Sequence, residues 1–370
     1  MRPRIGSCEV MSMKARFRRC AAAVFLCAAM AACILDAKTA ASAAAQAVEL
    51  CTQAVVPSLL PFLVLSRLFL GSAACQGLVG LCGPLMGPLF GLPPSAAPAL
   101  VLGLVGGYPV GARTAGTLYA AGQLTRPEAE RLLAFCSNAG PAFLFGIIGG
   151  CLGVKQAALL FGLQILSALA AGALLARNRT APQKAPPFRP TPVCVPEAVR
   201  GSLGAMGQIC AYVVLFSVAG AFLGKWLPAE TPFWLRLLLS GLLELSGGGC
   251  KLSRLAQPEL RFLFGLLFST FGGLCVWMQT LAVTRPAGLT ARQYLPGKLL
   301  QTALALALGR VVLILFPGAL PAAALEAPPP GPHAGLLRAT GIVTAAVAAG
   351  LGIWCMVLEK RAGKTEKKAV

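Results

Sequence analysis

A chain of 370 residues that is otherwise apolar is interrupted twice in the same way, and that pairing limits what it can fold into. The first half carries Gly106-Gly107-Tyr108-Pro109-Val110-Gly111-Ala112-Arg113, and the second carries Glu244-Leu245-Ser246-Gly247-Gly248-Gly249-Cys250-Lys251. A further break in a hydrophobic run follows each: Ser137-Asn138-Ala139-Gly140-Pro141, then Ser269-Thr270-Phe271-Gly272-Gly273. Hydrocarbon offers no partner to bare backbone groups, so non-helical chain at membrane depth survives only inside protein or beside water. Gly/Pro-broken segments in corresponding places of two halves point to a transporter's binding site.

Composition supplies the membrane. The chain is 57% hydrophobic and 12% charged, with a mean hydropathy of +0.75. A soluble domain carries about twice that charged fraction. Apolar runs at 20–36, 48–70, 130–149, 154–176, 200–224, 260–284, 298–320 and 336–358 approach or exceed the roughly 20 residues needed to cross hydrocarbon. Residues 71–92 are apolar but rich in Gly and Pro, and read as interfacial or loosely packed. The expected fold class is an all-α polytopic membrane protein: about eight spanning helices plus two re-entrant hairpins, at 95–125 and 232–257, in an inverted repeat. Its divisions are a basic cytoplasmic N-terminus (1–19), a first half (20–176), a Pro/Arg-rich cytoplasmic linker (177–197), a second half (198–358) and a basic cytoplasmic tail (359–370).

The net charge of +20 raises nucleic acid, but its distribution argues against such a partner. Basic residues cluster before the first apolar run, around the linker and at the carboxyl end, as the positive-inside bias produces. Arg236, Lys251, Arg254 and Arg261 run against that bias, and some of them are expected to face a cavity. The amino terminus has the look of a signal peptide and reads as an uncleaved first span. Fourteen cysteines are scattered without a C-x-x-C pair, and His333 is alone, so neither metal nor catalytic zinc is expected. Nucleotide-binding loops and nucleophile–histidine devices are absent, so no enzyme and no cofactor is expected.

The candidate substrate-binding residues all lie at the breaks: Gly107, Tyr108, Pro109, Gly111 and Arg113; Ser137, Asn138 and Gly140; Glu244, Ser246, Gly248 and Lys251; Ser269 and Thr270. A guanidinium at membrane depth costs on the order of 2.5–3.5 kcal/mol on the lenient insertion scales, so Arg113 is paired, hydrated, useful or snorkelling to the interface. Lys251 takes the matching place in the second half. Glu244 is a proton-coupling group, the partner of Arg113 or Lys251, or half of a structural ion pair. Gly140-Pro141 frees carbonyls one turn earlier; with nearby hydroxyls these hold a coupling sodium ion or polar substrate groups, or the helix is simply kinked. Gln279 is a weaker candidate. Thr125-Arg126-Pro127-Glu128 reads as a helix cap.

At Gly-Gly-Tyr-Pro-Val-Gly-Ala-Arg (106–113) and Glu-Ala-Glu-Arg-Leu-Leu-Ala-Phe-Cys-Ser-Asn-Ala-Gly-Pro-Ala-Phe (128–143), with Pro57-Ser58-Leu59-Leu60-Pro61-Phe62 before them, the chain resembles the YlbJ family. These are sporulation integral membrane proteins with a nucleoside-recognition, or gate, domain. The resemblance covers roughly 45–320 and implies a fold similar to concentrative nucleoside transporters. It also implies a role in endospore formation, with dipicolinic acid as cargo. The membrane would then be the cell membrane or the mother-cell-derived outer forespore membrane. Arg113 and Lys251 suit such a small aromatic dianion. The expected partners are therefore a small anionic metabolite and the lipid bilayer, with a homo-oligomer compatible and a proton or sodium ion as coupling ion. A nucleoside or nucleobase carrier and a non-transporting scaffold for spore cortex assembly are the alternatives.

Overall fold

The computed structural model describes residues 6–176, 188–190 and 192–316. Among these residues there is no β-strand, and the chain is a polytopic helical membrane protein. Six helices among the described residues are long and apolar enough to cross a bilayer: Arg16–Leu35 within α1 (Gly6–Leu35), α4 (Ala73–Phe90), α10 (Val154–Ala176), α11 (Val195–Trp226), Pro258–Ala287, and α16 (Tyr294–Leu315). A seventh path is bent by 50°, from α2 (Ala37–Leu50) through the wide turn Cys51–Val55 into α3 (Val56–Leu70). At 1.5 Å per residue, the 23 residues of α10 span about 34 Å, enough for the hydrocarbon core.

The two breaks in each half occur where Gly and Pro placed them. In the first half α5 (Ala97–Gly106) turns at Gly107 and a cis Tyr108–Pro109 bond into α6 (Val110–Ala120), a helical hairpin. Then α7 (Arg126–Leu132) begins on the cap, with the Thr125 amide donating to Glu128 Oε2 at 2.7 Å. It stops after two turns, and the helix resumes only at α8 (Pro141–Phe143), the wide turn Leu144–Ile148 and α9 (Gly149–Leu152). In the second half α12 (Phe233–Leu243) and the short α13 (Leu245–Gly249) form the matching hairpin. The segment 258–284 is broken into α14 (Pro258–Phe271) and α15 (Gly273–Thr284) at Gly272 and Gly273, both with φ near +78°.

Three expectations change. Residues 71–92 are not loosely packed interfacial chain but a continuous 18-residue helix, capped by Ser72 and ended by left-handed Gly91; its two internal prolines do not break it. The expected span at 130–149 is not one helix, because Gly140 takes the extended conformation (φ −76°, ψ 162°) demanded by the following proline. The last span in the described residues begins at Tyr294, four residues before the sequence suggested. The expected span at 336–358 and most of the linker lie outside the described residues.

Packing brings the breaks together. Helix α16 lies against α10 and α14, α11 against α2 and α3, and α15 against both α6 and α11. One apolar cluster joins the first hairpin to α4 and α7. A second joins α10, α14 and α16 to the second hairpin. The third joins α3 and α11 to Cys275 of α15.

Candidate functional site

The tip of the first hairpin touches both breaks. Gly107 has φ +78°, and a Cβ there would lie 2.7 Å from the Gly140 nitrogen, so the turn and the first break are in backbone contact. Tyr108 covers the second break. A Cβ on Gly272 would meet its ring at 3.0 Å, and its hydroxyl donates to the carbonyls of Ser269 (3.3 Å) and Thr270 (3.1 Å). The second hairpin is closed by glycine as well, since a Cβ on Gly248 would lie 2.5 Å from the Gly241 Cα.

Between these tips lies a cavity of about 390 Å³. Gly107 and Tyr108 form one wall, Ala139 and Gly140 a second, Glu244 to Ser246 a third, and Val276 and Gln279 of α15 a fourth. Leu59, Phe143, Ile147, Ile209 and Val213 complete an apolar lining. That size and character, apolar with a few convergent polar groups, is what small-molecule sites show. Glu244 is the charged group of the lining, and it is 5% exposed. Its carboxylate accepts from the backbone amides of Ser246 (2.9 Å) and Gly247, so it both caps α13 and brings an acceptor to the cavity.

The other candidate residues sit elsewhere. Gly111 packs on the Cys136 carbonyl, and Pro109 leads into α6. Ser269 and Thr270 turn their hydroxyls back onto the Leu266 carbonyl. Arg113 lies away from the cavity and donates to the Gly201 carbonyl of α11 at 2.6 Å. Lys251 is exposed and donates to Ser240 Oγ at 3.2 Å. With Arg236 and Arg254 it lines a separate hollow of about 250 Å³ between the end of α11 and α12. Arg236 is occupied there with the carbonyls of Gly224, Leu227 and Pro228, and Arg261 with that of Leu255.

Ser137 and Asn138 belong to a network that the sequence did not reveal. Lys298 of α16, with no exposed surface, reaches the first break. Its ammonium donates to the Ser137 carbonyl, to Gln301 Oε1 (2.7 Å) and to Asn138 Oδ1 (3.3 Å), and lies 5.2 Å from the centre of the Tyr108 ring. Gln301 donates in turn to Asn138 Oδ1 (2.6 Å), and Gln164 of α10 donates to the Ala139 carbonyl (2.8 Å). The ion pairs among the described residues, Arg126–Glu130 and Lys225–Asp36, leave Lys298 without an acidic partner. One signal was legible: Lys298 and Gln301 fall on one face of a helix at i, i+3.

The sequence has a relative among known proteins. The chain is similar to the sporulation integral membrane protein YlbJ of Bacillus subtilis (strain 168). The two are 27% identical over 294 residues, covering 67% of this chain and 71% of YlbJ. No family model matches the chain, and no solved structure matches it. The likeness to YlbJ agrees with a multi-pass membrane protein and says nothing by itself about a solute.

Proposed function

We propose that the chain is a secondary transporter that carries a small planar metabolite through the cavity between its two hairpins. The observation behind this reading is that three helix interruptions line one chamber of about 390 Å³, with the fourth held behind it by the Tyr108 hydroxyl. Unwound backbone deep in a bilayer is expensive unless it lines a watery space or is held in protein. Here Gly107, Gly140 and Glu244 do both, each being a wall of the chamber and packed against its neighbours. Neither enzymatic chemistry nor a bound cofactor is part of the reading.

By its name YlbJ acts in sporulation, and we carry that setting over, with dipicolinic acid as the solute and a spore-forming cell's membrane as the place. The apolar walls suit its ring. Its two carboxylates set a condition, because Glu244 is a fixed acceptor in the same chamber. A dianion beside a carboxylate in low dielectric is strongly disfavoured, so solute or Glu244 takes up a proton during passage. That like-charge argument supports a proton as the coupling ion. The basic hollow of Arg236, Lys251 and Arg254, beside α12 of the second hairpin, would collect the anion, and the hairpin would then act as the moving partition.

The second reading is a neutral nucleoside or nucleobase, and one observation favours it: no lysine or arginine lines the chamber. Uptake of labelled dipicolinate and uridine into proteoliposomes under separate proton and sodium gradients decides between them. Proton-driven dipicolinate uptake supports the first reading, and uridine uptake without dipicolinate uptake supports the second. Absence of flux for both would leave a scaffold in spore envelope assembly and overturn the transport reading.

A further inference from the structure

Lys298 is a fully buried cation whose hydrogen bonds all go to neutral oxygens. Such a charge is costly to bury unless polar groups are arranged around it. Its acceptors come from two elements: the Ser137 carbonyl and Asn138 Oδ1 from the unwound first break, and Gln301 Oε1 from its own helix. The Tyr108 ring covers the ammonium on a further side. Gln164 Oε1, in the same network, is buried with no hydrogen-bond partner among the described residues. The ionisable groups close to Lys298 are the Cys136 thiol on the break and the phenol of Tyr108 on the first hairpin. No carboxylate is within ion-pair distance among the described residues.

Neutral carbonyl and amide oxygens gathered at a helix interruption are the donor set of a hard monovalent cation. We propose that this is a built-in monovalent-cation site, filled by the Lys298 ammonium in place of a free sodium ion. The tethered ammonium, while protonated, holds the first break in its unwound form without any ion from solution, whereas a free ion would do so only when bound. Sodium is therefore not required to organise the chamber wall formed by Ala139 and Gly140. This deepens the transport reading by removing the first break as a sodium site, but the site itself stands on binding measurements that need no transported solute.

The test is thermal unfolding of the purified full chain in detergent, in sodium, potassium or choline chloride at matched ionic strength, with methylammonium as a further arm. Wild type is expected to melt at one temperature in all of these salts. Lys298→Ala is expected to melt lower and to regain stability saturably with sodium or methylammonium. A ten-fold excess over the dissociation constant gives a rise of roughly 2 °C. Saturable stabilisation of wild type by sodium overturns the proposal, and it does so even if the variant does not insert. A Lys298→Met protein that melts with wild type, or a Lys298→Ala protein that responds to no cation, overturns it as well. If cation rescue is seen while neither dipicolinate nor uridine moves, the site stands and the transport reading falls.

Discussion

The two hairpins occupy matching places in their halves and are built from different materials. The first has two helices of 10 and 11 residues meeting at Gly107, with its tip pressed into both breaks. The second has an 11-residue helix followed by five residues of α13, a single 3₁₀ turn at Leu252–Arg254, and a tip that contacts its own hairpin glycine. The first tip is anchored across the molecule through the Tyr108 hydroxyl; the second folds Glu244 onto its own amides, packs its Gly241–Leu243 carbonyls on Gly273, and accepts across the molecule from the Cys151 thiol at the Gly249 carbonyl (3.6 Å). Local hydrogen bonds travel with the element that makes them, whereas long-range ones must break if it moves. The second hairpin is tied across the fold by one sulfur hydrogen bond where the first has two from a hydroxyl, so in the transport reading it is the partition and the first is part of the frame.

Substituting the two tips alike probes that asymmetry with the largest effect. Gly107→Ala puts a Cβ at 2.7 Å from the Gly140 nitrogen and forces a side chain into φ +78°. It is expected to destabilise by about 2–4 kcal/mol. Gly247→Ala, where a Cβ meets Glu244 Oε2 at 3.3 Å and Ser240 Oγ at 3.7 Å in a helical residue, should stay within about 1 kcal/mol. Melting in detergent separates the two; similar losses would erase the distinction between frame and partition.

Next comes the cap. Glu244→Ala removes the acceptor for two amides and should cost about 1–2 kcal/mol while abolishing the pH dependence of dipicolinate uptake. Uptake with an unchanged pH profile would remove Glu244 from the coupling. Tyr108→Phe deletes the hydroxyl that reaches Ser269 and Thr270 and is expected to lose about 1 kcal/mol with the chamber intact. Arg113→Ala loses one carbonyl contact outside the chamber, so solute binding should stay near wild type; loss of binding would show that Arg113 reaches the solute in another state.

The smallest effect lies outside the spanning helices. Burial pushes the Glu130 carboxyl up, but hydrogen bonds from Thr290 and the Arg126 guanidinium outweigh it and hold the group below its ordinary 4.5. A depressed carboxyl stabilises the fold above its unfolded value, and that contribution fades as pH falls through the folded value. Thr290→Val should therefore be less stable than wild type at pH 7, and the difference should shrink below about pH 4. A constant difference would mean that the Thr290 contact does not depend on the carboxylate.

Glycine and proline made the breaks legible, because their backbone preferences act locally. Tyr108-Pro109, Gly140-Pro141 and Gly272-Gly273 all mark interruptions, and α10 begins and ends where its apolar run does. What was not legible depends on which residues meet across the fold. Pro84 and Pro88 suggested a loose segment at 71–92, yet both sit within a continuous helix. Arg113 and Lys251 look equivalent by their distance from the glycines, but one turns to α11 and the other to a hollow outside the chamber. Lys298 sat at the start of an expected span, where a lysine reads as an interfacial anchor. Only the helix extension to Tyr294 draws it inside.

The account rests on the chamber being a solute path, and labelling at Ser246 tests this most directly. With the native cysteines removed, Ser246→Cys should react with a membrane-impermeant thiol reagent and be protected by the transported solute, dipicolinate in the first reading. A cysteine at 246 that stays unreactive in every condition, or reacts equally with and without dipicolinate and uridine, would contradict it.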